Sequence, residues 1–101
     1  MSGYNLILHP LICPRCGFNG AAEAEFRFGL MEFRAYRVGE KIDWGLKGLR
    51  FPASRPSNGE YEGEGYVQCV NCGKDYWVII SVAADMITSV TVDREKEGYI
   101  E

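Results

Sequence analysis

Histidine is nearly missing from this chain: His9 is the single one among 101 residues. Acid–base chemistry near neutral pH therefore has one ordinary candidate, and metal sites built on several imidazoles are excluded. Long apolar runs are missing as well. Leu6-Ile7-Leu8 is too short for the apolar core of a secretory leader, and no cationic stretch precedes it. No segment approaches the roughly 20 apolar residues of a membrane-spanning helix. Positive charge is not in excess: 11 Lys and Arg stand against 14 Asp and Glu, for a formal charge of −3. That balance disfavours general nucleic-acid binding. There is no glycine-rich phosphate loop, no internal repeat and no helical heptad. The carboxylates are scattered, and no nucleophile sits in a recognisable motif. The expectation is a non-enzymatic protein of the cytoplasm with no membrane segment, where free thiols stay reduced.

What is present is apolar and aromatic. At 47% hydrophobic and 13% aromatic residues, the chain can bury a core and is not of disordered composition. Its length fits one domain spanning 1–101.

Four cysteines fall into two pairs, Cys13-Pro14-Arg15-Cys16-Gly17 and Cys69-Val70-Asn71-Cys72-Gly73. A turn with two residues between the thiols points both sulfurs at one centre. Backbone N–H groups after the first cysteine then face the sulfur. The glycine that follows can take positive φ and let the chain leave the turn without a Cβ clash. Pro14 presets φ for the turn. Two such turns face to face make a tetrahedral four-sulfur site. Disulfides are the competing reading, with three possible connectivities, and a chain with no secretion signal argues against them. A redox dithiol of the thioredoxin type is opposed by the absence of a βαβ pattern around either pair. His9, four residues before Cys13, is not needed, because four thiolates already fill a tetrahedron. With one divalent ion bound to four thiolates the formal charge moves from −3 to −5.

The two pairs resemble the metal knuckles of zinc ribbons and rubredoxins. The resemblance covers the knuckles and the strands beside them, not the whole chain. The 52 residues between Cys16 and Cys69 exceed what a minimal ribbon or a rubredoxin carries. It implies Zn²⁺, or Fe in the alternative, held by Cys13, Cys16, Cys69 and Cys72.

The remaining pattern is mainly β: a small antiparallel sheet with this site at one end and a long irregular loop. Tyr4–Ile12 reads as a first strand. Residues 22–30 alternate, with Ala22, Ala24, Phe26 and Phe28 on one side and Glu23, Glu25 and Arg27 on the other. A helix over 21–28 is the rival reading, since alanine and glutamate favour helix. Alternation continues to Val38, with Phe33 and Ala35 on the face opposite Glu32, Arg34 and Tyr36. Val38–Ile42 reads as a tight turn into a short strand. Residues 45–65 hold five glycines and two prolines in 21 positions, which is loop composition. A strand from Gly65 enters the second knuckle. Tyr76–Val82 is the strongest strand signal. Ala83-Ala84-Asp85 is a turn, and Met86–Val92 returns as the antiparallel partner. There Ile87 and Ser89 share one face and Thr88, Val90 and Val92 the other. Residues 93–101 form a charged tail with room for one helical turn.

Three functions fit such a chain. The first is a protein-interaction module with a structural metal. Between residues 34 and 55 six basic residues face two acidic ones, a local +4 that suits an acidic protein partner. Trp44 or Phe51 would be the apolar anchor, with Lys47, Arg50 and Arg55 around it. The competing expectation is that Trp44 and Phe51 cover the open end of the sheet. The second is nucleic-acid binding through the same window, opposed by the acidic remainder. The third is electron transfer at an iron-loaded site.

Overall fold

A computed structural model describes residues 4–28, 33–44, 57–96 and 98. Six strands make one mixed sheet: β1 (Asn5–Ile12), β2 (Asn19–Phe26), β3 (Ala35–Tyr36), β4 (Tyr61–Gln68), β5 (Asp75–Ala83) and β6 (Met86–Asp93), in the order β3-β1-β2-β4-β5-β6. The single helical element is a 3₁₀ turn at Ser57–Gly59 among the described residues. Segment 21–26 is strand, so side-chain alternation overrides the helix preference of its alanines and glutamates. Ala24, Phe26 and Phe28 are buried while Glu23 and Arg27 are exposed, as period two requires.

Antiparallel pairing fits every neighbour but one. β3 runs parallel to β1, with Leu6 opposite Ala35 and Ile7 opposite Tyr36. The chain then turns at Arg37–Glu40 and runs alongside the start of β6. There the Gly39 N–H donates to the Ile87 carbonyl (2.8 Å), Ile87 N–H to Glu40 (3.0 Å) and Ile42 N–H to Asp85 (2.7 Å). One segment thus bonds β1 on one side and the start of β6 on the other, and the sheet curls on itself. Its inner face holds Ile7, Leu11, Ala24, Phe26, Phe28, Tyr36, Ile42, Trp44, Val67, Val78, Ile80, Val82, Ile87 and Val90 in one cluster.

Three expectations need correction. In 33–36 the buried residue is Tyr36, whereas Phe33 and Ala35 are exposed; the apolar face lies in the opposite phase because β3 adds to the edge of β1 with Tyr36 over the core. In β6 the strict alternation fails. The register steps from Ser81↔Ser89 to Val82↔Ile87, so Thr88 is the extra residue of a bulge, and its hydroxyl donates to the Ser81 carbonyl (3.1 Å). The bulge lets Ile87 and Val90 both face inward. Finally, residues 61–65 belong to β4 and not to the long loop. The tail reads as bends over 94–96 with no helical turn there; 97 and 99–101 lie outside the described residues.

Candidate metal centre

The topology brings the two cysteine pairs together. β1 and β2 form a hairpin closed by Ile12↔Asn19, and β4 and β5 one closed by Gln68↔Asp75. Each connection spans six residues, 13–18 and 69–74. β2 and β4 are antiparallel neighbours, so both turns emerge at the same end of the sheet.

The two loops share one backbone pattern. In the first, Cys13 N–H donates to the Phe18 carbonyl (2.9 Å) and Gly17 N–H to the Cys13 carbonyl (2.8 Å). In the second, Cys69 N–H donates to Lys74 (2.8 Å) and Gly73 N–H to Cys69 (2.9 Å). Gly17 and Gly73 sit at φ +80 and +74, the left-handed region a β-carbon disfavours. The amides of Arg15 and Asn71 point at the sulfurs of Cys13 (3.3 Å) and Cys69 (3.4 Å).

Between the loops, Cys13 Sγ lies 3.9 Å from Cys72 Sγ and Cys16 Sγ lies 3.8 Å from Cys69 Sγ. An ion about 2.3 Å from each of four sulfurs would set them roughly 3.8 Å apart. All four ligand atoms lie within 4.8 Å of one another. No disulfide joins any of them, and among the described residues they are the one group of this kind with metal-binding spacing. The donor set therefore fits a tetrahedral metal. His9, half-buried on β1, is not part of it.

The four thiols do not share one acidity. The Asn71 side-chain amide donates to Cys16 Sγ (3.5 Å). That bond, then a backbone hydrogen bond from Phe18, brings the Cys16 thiol down to about 6. At Cys72 a backbone hydrogen bond from Lys74 favours the thiolate. Burial and the other three sulfurs outweigh it and push the thiol up to about 11. Cys16 thus ionises more readily than Cys72, and the crowding of sulfurs that raises Cys72 is the condition that a cation relieves. Burial, then the neighbouring cysteine sulfurs, push the Tyr76 hydroxyl to about 12.

Residues with no distinguishing signal in the sequence complete the surroundings. Asp75 is fully buried, accepts from the Tyr66 hydroxyl and faces Arg15 of the opposite loop. Asn71 and Arg15 are the spacer residues inside the cysteine pairs, which makes their nearness to sulfur foreseeable but not their bonds.

The expected docking residues fall elsewhere. Lys47, Arg50, Phe51 and Arg55 lie outside the described residues. Trp44 is buried. It stacks with Phe28, meets Tyr61 edge-on, and donates its indole N–H to Asp85 Oδ1 (2.9 Å). It covers the end of the sheet instead of presenting an anchor. Arg34, Arg37 and Lys41 are exposed, with Phe33 beside them 59% exposed.

The outer face of the sheet carries a cavity of about 520 Å³ lined by Glu25, Phe26, Arg27, Glu64, Tyr66 and Trp77. No cysteine, serine, threonine or histidine lines it. Among the described residues no helix is long and apolar enough to cross a membrane. No protein-family model, no curated protein and no solved structure matches the chain.

Proposed function

We propose that this protein is a non-enzymatic protein-interaction module folded around one structural zinc ion. The observation that carries the metal part is the closed donor set: four sulfurs from two matching loops at tetrahedral spacing. A tetrahedron filled by protein keeps no position for a water nucleophile, the mark of structural as against catalytic zinc. Zinc is preferred to iron because four-cysteine structural sites commonly hold it; tetrahedral sulfur suits both. Elemental analysis and visible absorption of protein from medium containing both metals separate them. Colourless protein with one zinc per chain supports the reading, and a coloured iron protein transfers it to electron transfer.

The interaction part rests on charge contrast. The stretch 34–55 carries a local +4 in a chain of −3, and its described members Arg34, Arg37 and Lys41 are exposed. An acidic protein surface would be steered to such a strip and released by salt. With Trp44 in the core, the apolar contact next to the strip is Phe33. We assign the protein to a reducing compartment such as the cytoplasm, where four free thiols stay available for metal. The test is the combined variant Arg34→Glu, Arg37→Glu, Lys41→Glu, compared with the parent in cross-linking from lysate. Loss of a salt-sensitive partner at unchanged melting temperature supports docking there. An unchanged partner list overturns it.

A further inference from the structure

One fully buried charged group near the metal centre makes no contact a metal would need. Asp75 opens β5 just beyond the second loop and is 0% exposed. A buried carboxyl is costly unless paired and hydrogen-bonded, so its partners show what it holds. Its backbone carbonyl accepts from Arg15 Nη1 at 2.9 Å, and its Oδ1 lies 3.6 Å from the same nitrogen. Its Oδ2 accepts from the Tyr66 hydroxyl. Arg15 lies between Cys13 and Cys16, in the first loop. One guanidinium therefore ties the first cysteine loop to the strand that leaves the second, without passing through any sulfur. Tyr66 holds the far side of Asp75 from β4, the strand that enters the second loop.

The connection matters because it adds a polar tie where the hairpins otherwise meet by packing of Leu11, Cys13, Cys69 and Tyr76 and by the sulfurs themselves. The β2–β4 register has one partner pair, Glu25↔Tyr66, and Tyr66 is also the residue bonded to Asp75. Across the loops the Arg15 guanidinium donates to the Asp75 carbonyl, and the Asn71 amide donates to Cys16 Sγ. We propose that Arg15, Asp75 and Tyr66 are positioning residues for the metal. They hold the two loops at ligand spacing before the ion arrives, so less binding energy is spent on ordering the site. Removal of a group hydrogen-bonded to a metal ligand commonly lowers affinity about 10–100-fold; the clamp touches no sulfur but sets the spacing of two pairs of ligands, and a loss in the same range is expected.

This inference rests on the zinc reading above, and the test separates the two. Zinc-loaded parent, Arg15→Gln, Tyr66→Phe and Asp75→Asn are titrated with a chromogenic zinc chelator, and melting temperatures are recorded alongside. Val90→Ala, in the core on β6 and away from the loops, serves as a control that lowers stability without touching the clamp. Arg15→Gln is expected to bind zinc about 10–100-fold more weakly, with Tyr66→Phe shifted in the same direction. Val90→Ala is expected to keep the parent's affinity at a comparable loss of melting temperature. If Asp75→Asn fails to fold, Arg15→Gln and Tyr66→Phe, which leave the carboxyl in place, decide the matter. A parent that holds zinc together with an Arg15→Gln variant that holds it equally well overturns the clamp. A weakening no greater than that of Val90→Ala also overturns it. A parent that takes up no metal overturns the zinc reading itself.

Discussion

Truncating Trp44 separates a core role from a docking role in one experiment. The indole is 6% exposed, lies 6.2 Å from the Phe28 ring and 6.2 Å from the Tyr61 ring, and bonds Asp85. Removing a large buried aromatic costs about 3–5 kcal/mol. In a domain of this size each kcal/mol moves the melting temperature by about 4–8 °C, so Trp44→Ala should melt at least about 12 °C below the parent. Trp44→Phe keeps most of the apolar contact and loses the hydrogen bond to Asp85, a cost of about 1 kcal/mol. Thermal unfolding of the metal-loaded proteins, followed by circular dichroism in the β region, gives both values. The ordering parent, Trp44→Phe, Trp44→Ala is the expected result. A Trp44→Ala protein that melts with the parent would show that the indole is not packed, and would return it to the partner surface.

Other outcomes follow from particular residues. Cys72→Ser should lose the metal and melt far below the parent, since structural zinc contributes on the order of 10–16 kcal/mol in small peptides against about 5–15 kcal/mol for a whole domain; parent-like melting refutes this. Ala84 and Asp85 turn β5 into β6 at φ 49 and 66, a two-residue turn that favours glycine or asparagine. Ala84→Gly should therefore raise stability by roughly 1 kcal/mol, measured by urea unfolding, and a loss would contradict the turn geometry. In reduced, metal-stripped protein held below its own melting temperature, Cys16 has its thiol lowered to about 6 and Cys72 raised to about 11. Deprotonation gives the reactive form, so at pH 7 iodoacetamide should label Cys16 first, with its rate falling as the pH drops through about 6. Peptide mapping that finds Cys72 labelled first would reverse the assignment.

Strands with one buried face were readable because alternation records burial directly. Ala24, Phe26 and Phe28 were visible as an inward row, and Tyr76–Val82 as a strand. The cysteine loops were readable for a different reason: a two-residue spacing followed by glycine has few other uses. Features set by tertiary partners left no local trace. Thr88 is an ordinary strand residue, and only its register with Ser81 makes it a bulge. Phe33 and Tyr36 are both aromatic, and alternation grouped Phe33 with Ala35 as the apolar side; the edge of β1 put Tyr36 inward instead. The parallel pairing of β3 needs a neighbour 29 positions away, Leu6 for Ala35. Nothing local marks Asp75 for burial, because Arg15 and Tyr66 reach it from two other segments. For Trp44 the sequence left two readings, an anchor or a cover over the open end of the sheet, and Phe28 and Tyr61, distant in sequence, supply the packing that decides for the cover.

The central claim is one ion held by four cysteine sulfurs, and X-ray absorption at the metal edge of the purified protein tests it most directly. A zinc edge is expected, with a first shell of four sulfurs at about 2.3 Å and no nitrogen or oxygen scatterer. A shell containing an imidazole nitrogen or a water oxygen, or fewer than four sulfurs, would contradict it.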